Sequence, residues 1–444
     1  MTKKIAMRAV LVGIQTQQVS DEDFTSSLDE LARLAKTLGV IVIARLVQKR
    51  DRIDGAVLGR GKRIELARLT GGTGVSPRGP QEQRKKASAD AKEAMSELLS
   101  TLGAPEETAD LVIVDASLTP AQIRNLSTAA GVEVTDRSGI IIDIFHRHAS
   151  TREARLQVEI ARLKYQAPRM RASGGPSERQ AGKGAGESSL ELDRRKVRDR
   201  IAQLSRELQG IESESRVRRT RRQDTLRVAL VGYTNAGKSS WMRRLTTSSV
   251  LVEDKLFATL DTTVRSLHPQ ATPPILVSDT VGFIQQLPHD LVASFRSTLE
   301  EAKEASLLLH VVDASDSAFV AQLQVTREVL GELGALEGRS MLVLNKIDRC
   351  SPERIAQLSA DYPDAVQVSA KRDEDVARLH RLIVDDFAGA LEDVSLIVPY
   401  GKSALIGEIH KRARVLSERF EDDGIHYQLK MSPLEASRMR ELLD

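Results

Sequence analysis

A chain of 444 residues, 41% hydrophobic and with a net charge of +3, has the length for about three domains, each with its own core. Its single cysteine, Cys350, excludes an internal disulfide framework, and no uncharged apolar run approaches the roughly 20 residues that a membrane-spanning helix needs. The expected setting is the cytosol: Lys3 and Lys4 precede apolar residues as in a signal peptide, but Arg8 breaks the run and Gln15-Thr16-Gln17-Gln18 offers no small-residue cleavage site.

Residues 1–149 alternate strand and helix. Val10-Leu11-Val12, Val40-Ile41-Val42-Ile43, Leu111-Val112-Ile113-Val114 and Val132-Glu133-Val134 read as buried strands, and helices over 28–38 and 120–130 would cover a parallel sheet. Gly59-Arg60-Gly61-Lys62 lacks the full phosphate-loop pattern and reads as a basic turn. Residues 70–90, rich in Gly, Pro, Ser, Gln and Lys, read as a mobile insertion. His146 and His148 flank Arg147 with no cysteine or acidic cluster beside them, so no metal site is expected there.

The next element, 150–222, concentrates the positive charge. Residues 151–222 hold 19 Lys and Arg against 10 Asp and Glu, a local +9 that leaves −6 for the rest of the chain. Leu156, Ile160 and Leu163 share one helical face, and Pro168 closes that helix. Leu190, Val197, Ile201, Leu204, Leu208 and Ile211 form a heptad stripe on a second helix. The two are expected to pair as an antiparallel hairpin around the Gly-, Ser- and Pro-rich stretch 172–187, with arginines outside and Arg179 and Lys183 at the tip. A solvated charged face is the plain reading of such a helix. A basic tip carried by a nucleotide-binding protein favours RNA phosphates. With Tyr165 the one aromatic residue of the segment, backbone charge and shape rather than base stacking would dominate.

Residues 223–390 carry four nucleotide motifs in order. Gly232-Tyr233-Thr234-Asn235-Ala236-Gly237-Lys238-Ser239 fits G-x-x-x-x-G-K-[ST] at every fixed position and follows the strand-like run 227–231. Its backbone N–H groups would cradle phosphates at a helix N-terminus, Lys238 would reach the outer phosphates, and the Ser239 hydroxyl would ligate magnesium. Asp279-Thr280-Val281-Gly282 ends the next strand as D-x-x-G, with Asp279 holding magnesium through water and the Gly282 N–H sensing the γ-phosphate. Asn345-Lys346-Ile347-Asp348 is the base-selecting N-K-x-D element. The Asp348 carboxylate can accept two hydrogen bonds from guanine where adenine offers no donor, which selects GTP over ATP by about four to five orders of magnitude. Ser369-Ala370-Lys371 completes the base side as a strand-end loop. Thr259, Thr262 and Thr263, between the first two motifs, are equal candidates by spacing for a threonine contacting magnesium and the γ-phosphate.

In residues 391–444, 395–399 and 426–430 read as strands and 403–419 as a helix, which makes a small α/β appendage. Gly401-Lys402-Ser403 is no second phosphate loop, because Leu396 stands where its first glycine belongs. The expected fold class is therefore α/β: a P-loop GTPase domain, preceded by an α/β N-terminal domain with a long helical hairpin and followed by the appendage.

Phe257-Ala258-Thr259-Leu260-Asp261 resembles switch I of the HflX family of ribosome-associated GTPases. The likeness extends to Gly59-Arg60-Gly61-Lys62 and to residues 118–126, 136–140 and 151–159, so that it covers most of the chain. Residues 180–187 follow the family's loop only loosely, and 70–108 are longer and more polar. The resemblance implies that Thr259 is the switch threonine, so Lys238, Thr259 and Gly282 carry catalysis and Ser239 and Thr259 hold magnesium, with residues 257–261 at the nucleotide. Asn235 resembles an asparagine that helps to hold potassium in related GTPases; shaping the loop is its equal alternative. Phe283 stands where many regulatory GTPases place a water-orienting glutamine, so intrinsic hydrolysis is expected to be slow. The implied partners are GTP and GDP, and the large ribosomal subunit with its rRNA. The implied task is action on stalled, stressed or idle ribosomes by subunit separation. A subunit-assembly GTPase and an RNA-binding module with structural GTP are the alternatives.

Overall fold

The computed structural model describes residues 6–76, 107–170, 189–220, 225–246, 257, 263–285, 301–336 and 338–443. The chain forms two compact units that part between Arg206 and Glu207.

The first unit opens with β1 (Arg8–Gln15), α1 (Asp21–Thr37), β2 (Ile41–Lys49) and α2 (Arg60–Thr70). It continues with β3 (Leu111–Val114), α3 (Pro120–Ala130), β4 (Glu133–Asp136), α4 (Arg137–His148) and α5 (Arg152–Gln166). The strands pair in the order β2-β1-β3-β4, all parallel. Parallel strands covered on both faces need continuous apolar runs, and Ala9, Val10, Leu11 and Val12 are all fully buried. Side chains start the helices: Ser20 accepts from Asp23 N, and Thr119 and Gln122 form a reciprocal capping box. Gly59-Arg60-Gly61-Lys62 is no turn; Gly59 caps α2 and the other three residues form its first turn. Leu66, Ala67 and Thr70 give that helix a buried face, which a reading of the four-residue motif alone omits.

The long α6 (Ser189–Thr220) bears out the stripe: Leu204 is buried, Val197, Ile201, Leu208 and Ile211 are half-buried, and Arg194, Arg195, Arg198 and Arg200 are exposed. The expected tip, 172–187 with Arg179 and Lys183, and the side chain of Leu190 lie outside the described residues. At the root of this region α5 packs on α4 and ends at Gln166, where Ala167–Arg169 tighten into a 3-10 turn.

A buried carboxylate ties this root to the sheet. Asp136, at the end of β4, accepts from Gly139 N at 2.9 Å, Leu118 N at 3.1 Å, the Tyr165 hydroxyl at 2.8 Å and Arg169 Nη2 at 3.3 Å. Arg169 also lies over the Tyr165 ring, 3.5 Å from its centroid. Burial, and then the Asp136 charge, push the Tyr165 hydroxyl far above its ordinary pKa, so it stays a donor. Beside it, fully buried Arg137 is paired with Glu30 and with Asp115 at 2.7 Å.

The second unit holds β5 (Leu226–Val231), α7 (Lys238–Thr246), β6 (Thr263–Ser266), β7 (Ile275–Asp279), β8 (Leu307–Asp313) and α8 (Phe319–Glu332). β9 (Arg339–Asn345), α9 (Pro352–Asp361), β10 (Val366–Gln367) and α10 (Asp373–Ala388) complete its six-stranded sheet, ordered β10-β9-β8-β5-β7-β6. Only β6 runs antiparallel to its neighbour. Trp241, Met242 and Leu245 of α7 are fully buried with Val228, Leu230 and Val277 of the strands, which fixes the start of α7 against the end of β5.

The last segment folds as β11 (Glu392–Val398), α11 (Ala404–Arg412), β12 (Arg414–Glu421), β13 (Gly424–Met431) and α12 (Pro433–Leu443), with the antiparallel order β11-β13-β12. The expected helix over 403–419 is corrected here: it stops at Arg412, and 414–421 is a strand. Glu421-Asp422-Asp423-Gly424 makes a tight hairpin, and Gly424 takes a φ of 149° that suits glycine.

The Asp136 anchor has a measurable cost. Asp136→Ala takes this acceptor from the Tyr165 hydroxyl and from the Gly139 and Leu118 N–H groups, while Arg169 keeps the Tyr165 and Leu118 carbonyls, and should lower stability by about 3 kcal/mol. The check is the urea midpoint followed by circular dichroism, where an unchanged midpoint would remove Asp136 from its anchoring role.

Candidate functional site

All four nucleotide motifs fall at the carboxyl ends of β5, β7, β9 and β10, on one edge of the parallel sheet. This is the edge where open α/β sheets bind ligands. The order reverses around β5, which is flanked by β7 and β8, and the loop 232–237 leaves β5 at that point.

The loop is built around a buried ammonium. Lys238 is 6% exposed, and its Nζ donates to Gly232 O at 3.0 Å and Tyr233 O at 2.9 Å. Burial lowers its pKa to about 8, partly countered by the Asp279 carboxylate. The Ser239 hydroxyl donates to Asp279 Oδ2 at 2.8 Å, and Asp279 and Thr280 are fully buried. Thr280 Oγ1 donates to Leu230 O at 2.8 Å, tying the second motif to the strand that launches the first. Gly237 has a φ of 101° with the Asn345 side-chain amide packed where a Cβ would stand, so no other residue fits. Asn235 has a φ of 62°, a left-handed conformation that asparagine tolerates, which supports its loop-shaping role. Thr234 and Ala236 are buried, as is Val281 before Gly282.

The base side is joined to this loop by hydrogen bonds that no motif specifies. Asn345, 1% exposed, donates from Nδ2 to Ala236 O at 2.7 Å and accepts from Ala370 N at 3.3 Å. Lys346, left-handed at φ 62°, donates from Nζ to Asn235 O at 2.6 Å and Asp313 Oδ2 at 2.7 Å. Asp348 accepts from Ser369 Oγ at 2.6 Å and Lys371 Nζ at 3.2 Å, while Ile347 is buried. Partial burial alone would raise the Asp348 pKa, but these two donors outweigh it and hold the carboxyl below its usual range. Each carboxylate oxygen has a second lone pair, so Asp348 can still accept two donors from a base edge. Ser369 is in turn fixed by its N–H to Asp375 Oδ2 at 2.9 Å.

Of the expected site residues, 232–239, 279–282, 345–348 and 369–371 are therefore gathered on one edge. Phe257 is buried with a φ of 58°, and Ala258, Thr259, Leu260 and Asp261 lie outside the described residues. Asp313 escaped the sequence reading. Its signal was faint, an acidic residue ending the apolar run Leu307–Val312, and its importance lies in holding Lys346.

Residues 227–346 match the family model described as "50S ribosome-binding GTPase". Residues 148–222 and 82–146 match "GTP-binding GTPase Middle Region" and "GTP-binding GTPase N-terminal". A protein named "GTPase HflX" from Gluconacetobacter diazotrophicus is 54% identical over 100% of this chain and 99% of its own length. The chain belongs to the HflX family. HflX GTPases from Caldanaerobacter subterraneus and Escherichia coli are 37% and 34% identical, over 98% and 97% of this chain and 94% and 95% of their own. As an HflX GTPase with a complete phosphate loop on a parallel sheet, the chain is a GTP hydrolase. No described helix is long and apolar enough to cross a membrane.

The depressed pKa of Lys238 sets a pH dependence for nucleotide binding. Phosphate favours the ammonium form, and the free protein loses that form as pH rises through about 8. GDP affinity should be level below pH 8 and fall above it, by at most about tenfold per pH unit. Calorimetric titrations from pH 7 to 9 should show this inflection in the wild type and not in Lys238→Ala. A level wild-type affinity across that range would contradict the assignment.

Proposed function

We propose that this GTPase works on the large ribosomal subunit, and that binding and hydrolysis of GTP there drive action on stalled, stressed or idle ribosomes by separation of the subunits. The observation that carries the reading is the exposed cluster Arg194, Arg195 and Arg198 on α6, flanking an apolar stripe on the same helix. Clustered exposed guanidinium groups suit the phosphates of RNA, and the apolar stripe gives the helix its packing without them. The family description "50S ribosome-binding GTPase" names a compatible partner.

At the nucleotide, residues 232–239 would enclose the phosphates, and Lys238 would contact the outer two. Asp348 would accept from the guanine edge, with Ser369, Ala370 and Lys371 closing over the base. Ser239 and Asp279 are hard oxygen donors 2.8 Å apart, a pair that suits magnesium. Magnesium bound there would offset phosphate charge. Thr259 would join from switch I and Gly282 would donate its N–H to the γ-phosphate. Phe283 carries no group that could orient an attacking water, so the chain leaves part of the catalytic work to its partner.

Charge reversal of Arg194, Arg195 and Arg198 tests the partner. Co-sedimentation with large subunits should weaken steeply with salt, by roughly 0.7 to 0.9 in log–log slope for each neutralised phosphate. The triple variant should have a smaller slope and weaker binding, with GDP affinity intact. Equal sedimentation of variant and wild type across the salt range would exclude this face from the interface.

A further inference from the structure

Tyr233 is the second residue of the phosphate loop, at a position the loop pattern leaves open, and it is only 3% exposed. Its carbonyl accepts from Lys238 Nζ at 2.9 Å and from Ala236 N at 3.3 Å. Its backbone forms a parallel bridge with Phe283, with Phe283 N donating to Gly232 O at 3.1 Å and Thr234 N donating to Phe283 O at 2.8 Å. Its phenol oxygen accepts from Gln285 N at 2.7 Å. One residue thus holds the catalytic ammonium through its carbonyl and the chain beyond Gly282 through its backbone and ring.

We propose that Tyr233 is a positioning residue for GTP hydrolysis. Its hydroxyl fixes the segment after Gly282 against the phosphate loop, so that the Gly282 N–H and the Lys238 ammonium meet the γ-phosphate as one unit. The inference rests on the nucleotide reading of this site and adds a coupling that none of the four motifs contains. Gly282 is already in close packing: a Cβ there would come within 2.8 Å of Thr234 Cγ2 and 2.9 Å of Lys238 Nζ. A small displacement of the segment therefore moves the sensing N–H relative to the ammonium. Donors held in place before the reaction need no reorganisation during it, and the tyrosine hydroxyl contributes that fixity. Val281, Phe283 and Ile284 are all buried, so apolar packing keeps the segment in place when the hydroxyl is lost. The hydroxyl sets its alignment.

The test is Tyr233→Phe in the full chain, which keeps the ring and leaves the Gln285 N–H without its acceptor. Single-turnover GTP hydrolysis with protein in excess should slow about three- to tenfold, the scale of one net hydrogen bond. GDP affinity should stay within about twofold, a split that a purely structural role would not produce. Gln285→Pro deletes the same hydrogen bond from the other partner and should give the same split. An unchanged hydrolysis rate in both variants would overturn the proposal, as would a loss of GDP affinity as large as the loss of rate. A wild type that hydrolyses no GTP would sink the nucleotide reading together with the inference, whereas an active wild type matched by both variants rejects Tyr233 alone.

Discussion

Burying the Lys238 ammonium is the costly act around which the second unit is arranged. A buried charge survives only where oxygen atoms surround it. Here two loop carbonyls accept directly from it and the Asp279 carboxylate stands by, and still its pKa falls to about 8. The carbonyls can converge because the loop leaves a strand that is buried on both faces and enters a helix pinned by Trp241, Met242 and Leu245. Asp279 is near because β7 pairs with β5 in a register that sets it opposite Leu230. The proposed phosphate contact of Lys238, the pairing of Ser239 with Asp279 and the close packing of Gly282 beside Lys238 follow from the same arrangement.

The four motifs were legible because each is a local backbone shape tied to fixed residue types. Gly237, Lys238 and Ser239 must follow one another at fixed spacing to form the loop, so the sequence displays them openly. What ties the motifs together is not local. Asp313 reaches Lys346 from the neighbouring strand, Asn345 reaches the loop carbonyl of Ala236, and Tyr233 reaches Gln285. No spacing rule announces such pairs, since they depend on strand order and register. Residues 414–421 show the converse limit. Their mixed apolar and charged pattern suits a helix or a strand, and pairing with β13 across the Asp-Gly turn decides for the strand.

The basic arm shows the same division. Its stripe and its outward arginines were read from spacing and charge alone, and burial along the described part of α6 follows them. Its anchorage was not readable. Asp136 stands in a short segment far from Tyr165 and Arg169 in sequence, and only the end of a parallel strand brings the three together. Asp136 thereby fixes the end of α5 and the turn after it to the sheet.

The most direct test of the account is GTP turnover by the full chain, measured with and without purified large ribosomal subunits. A site with Lys238, Gly282 and Asp348 in place but Phe283 where a water-orienting residue could stand should turn over slowly alone. Added large subunits should raise the rate by orders of magnitude. A rate that is the same in both conditions would contradict the account.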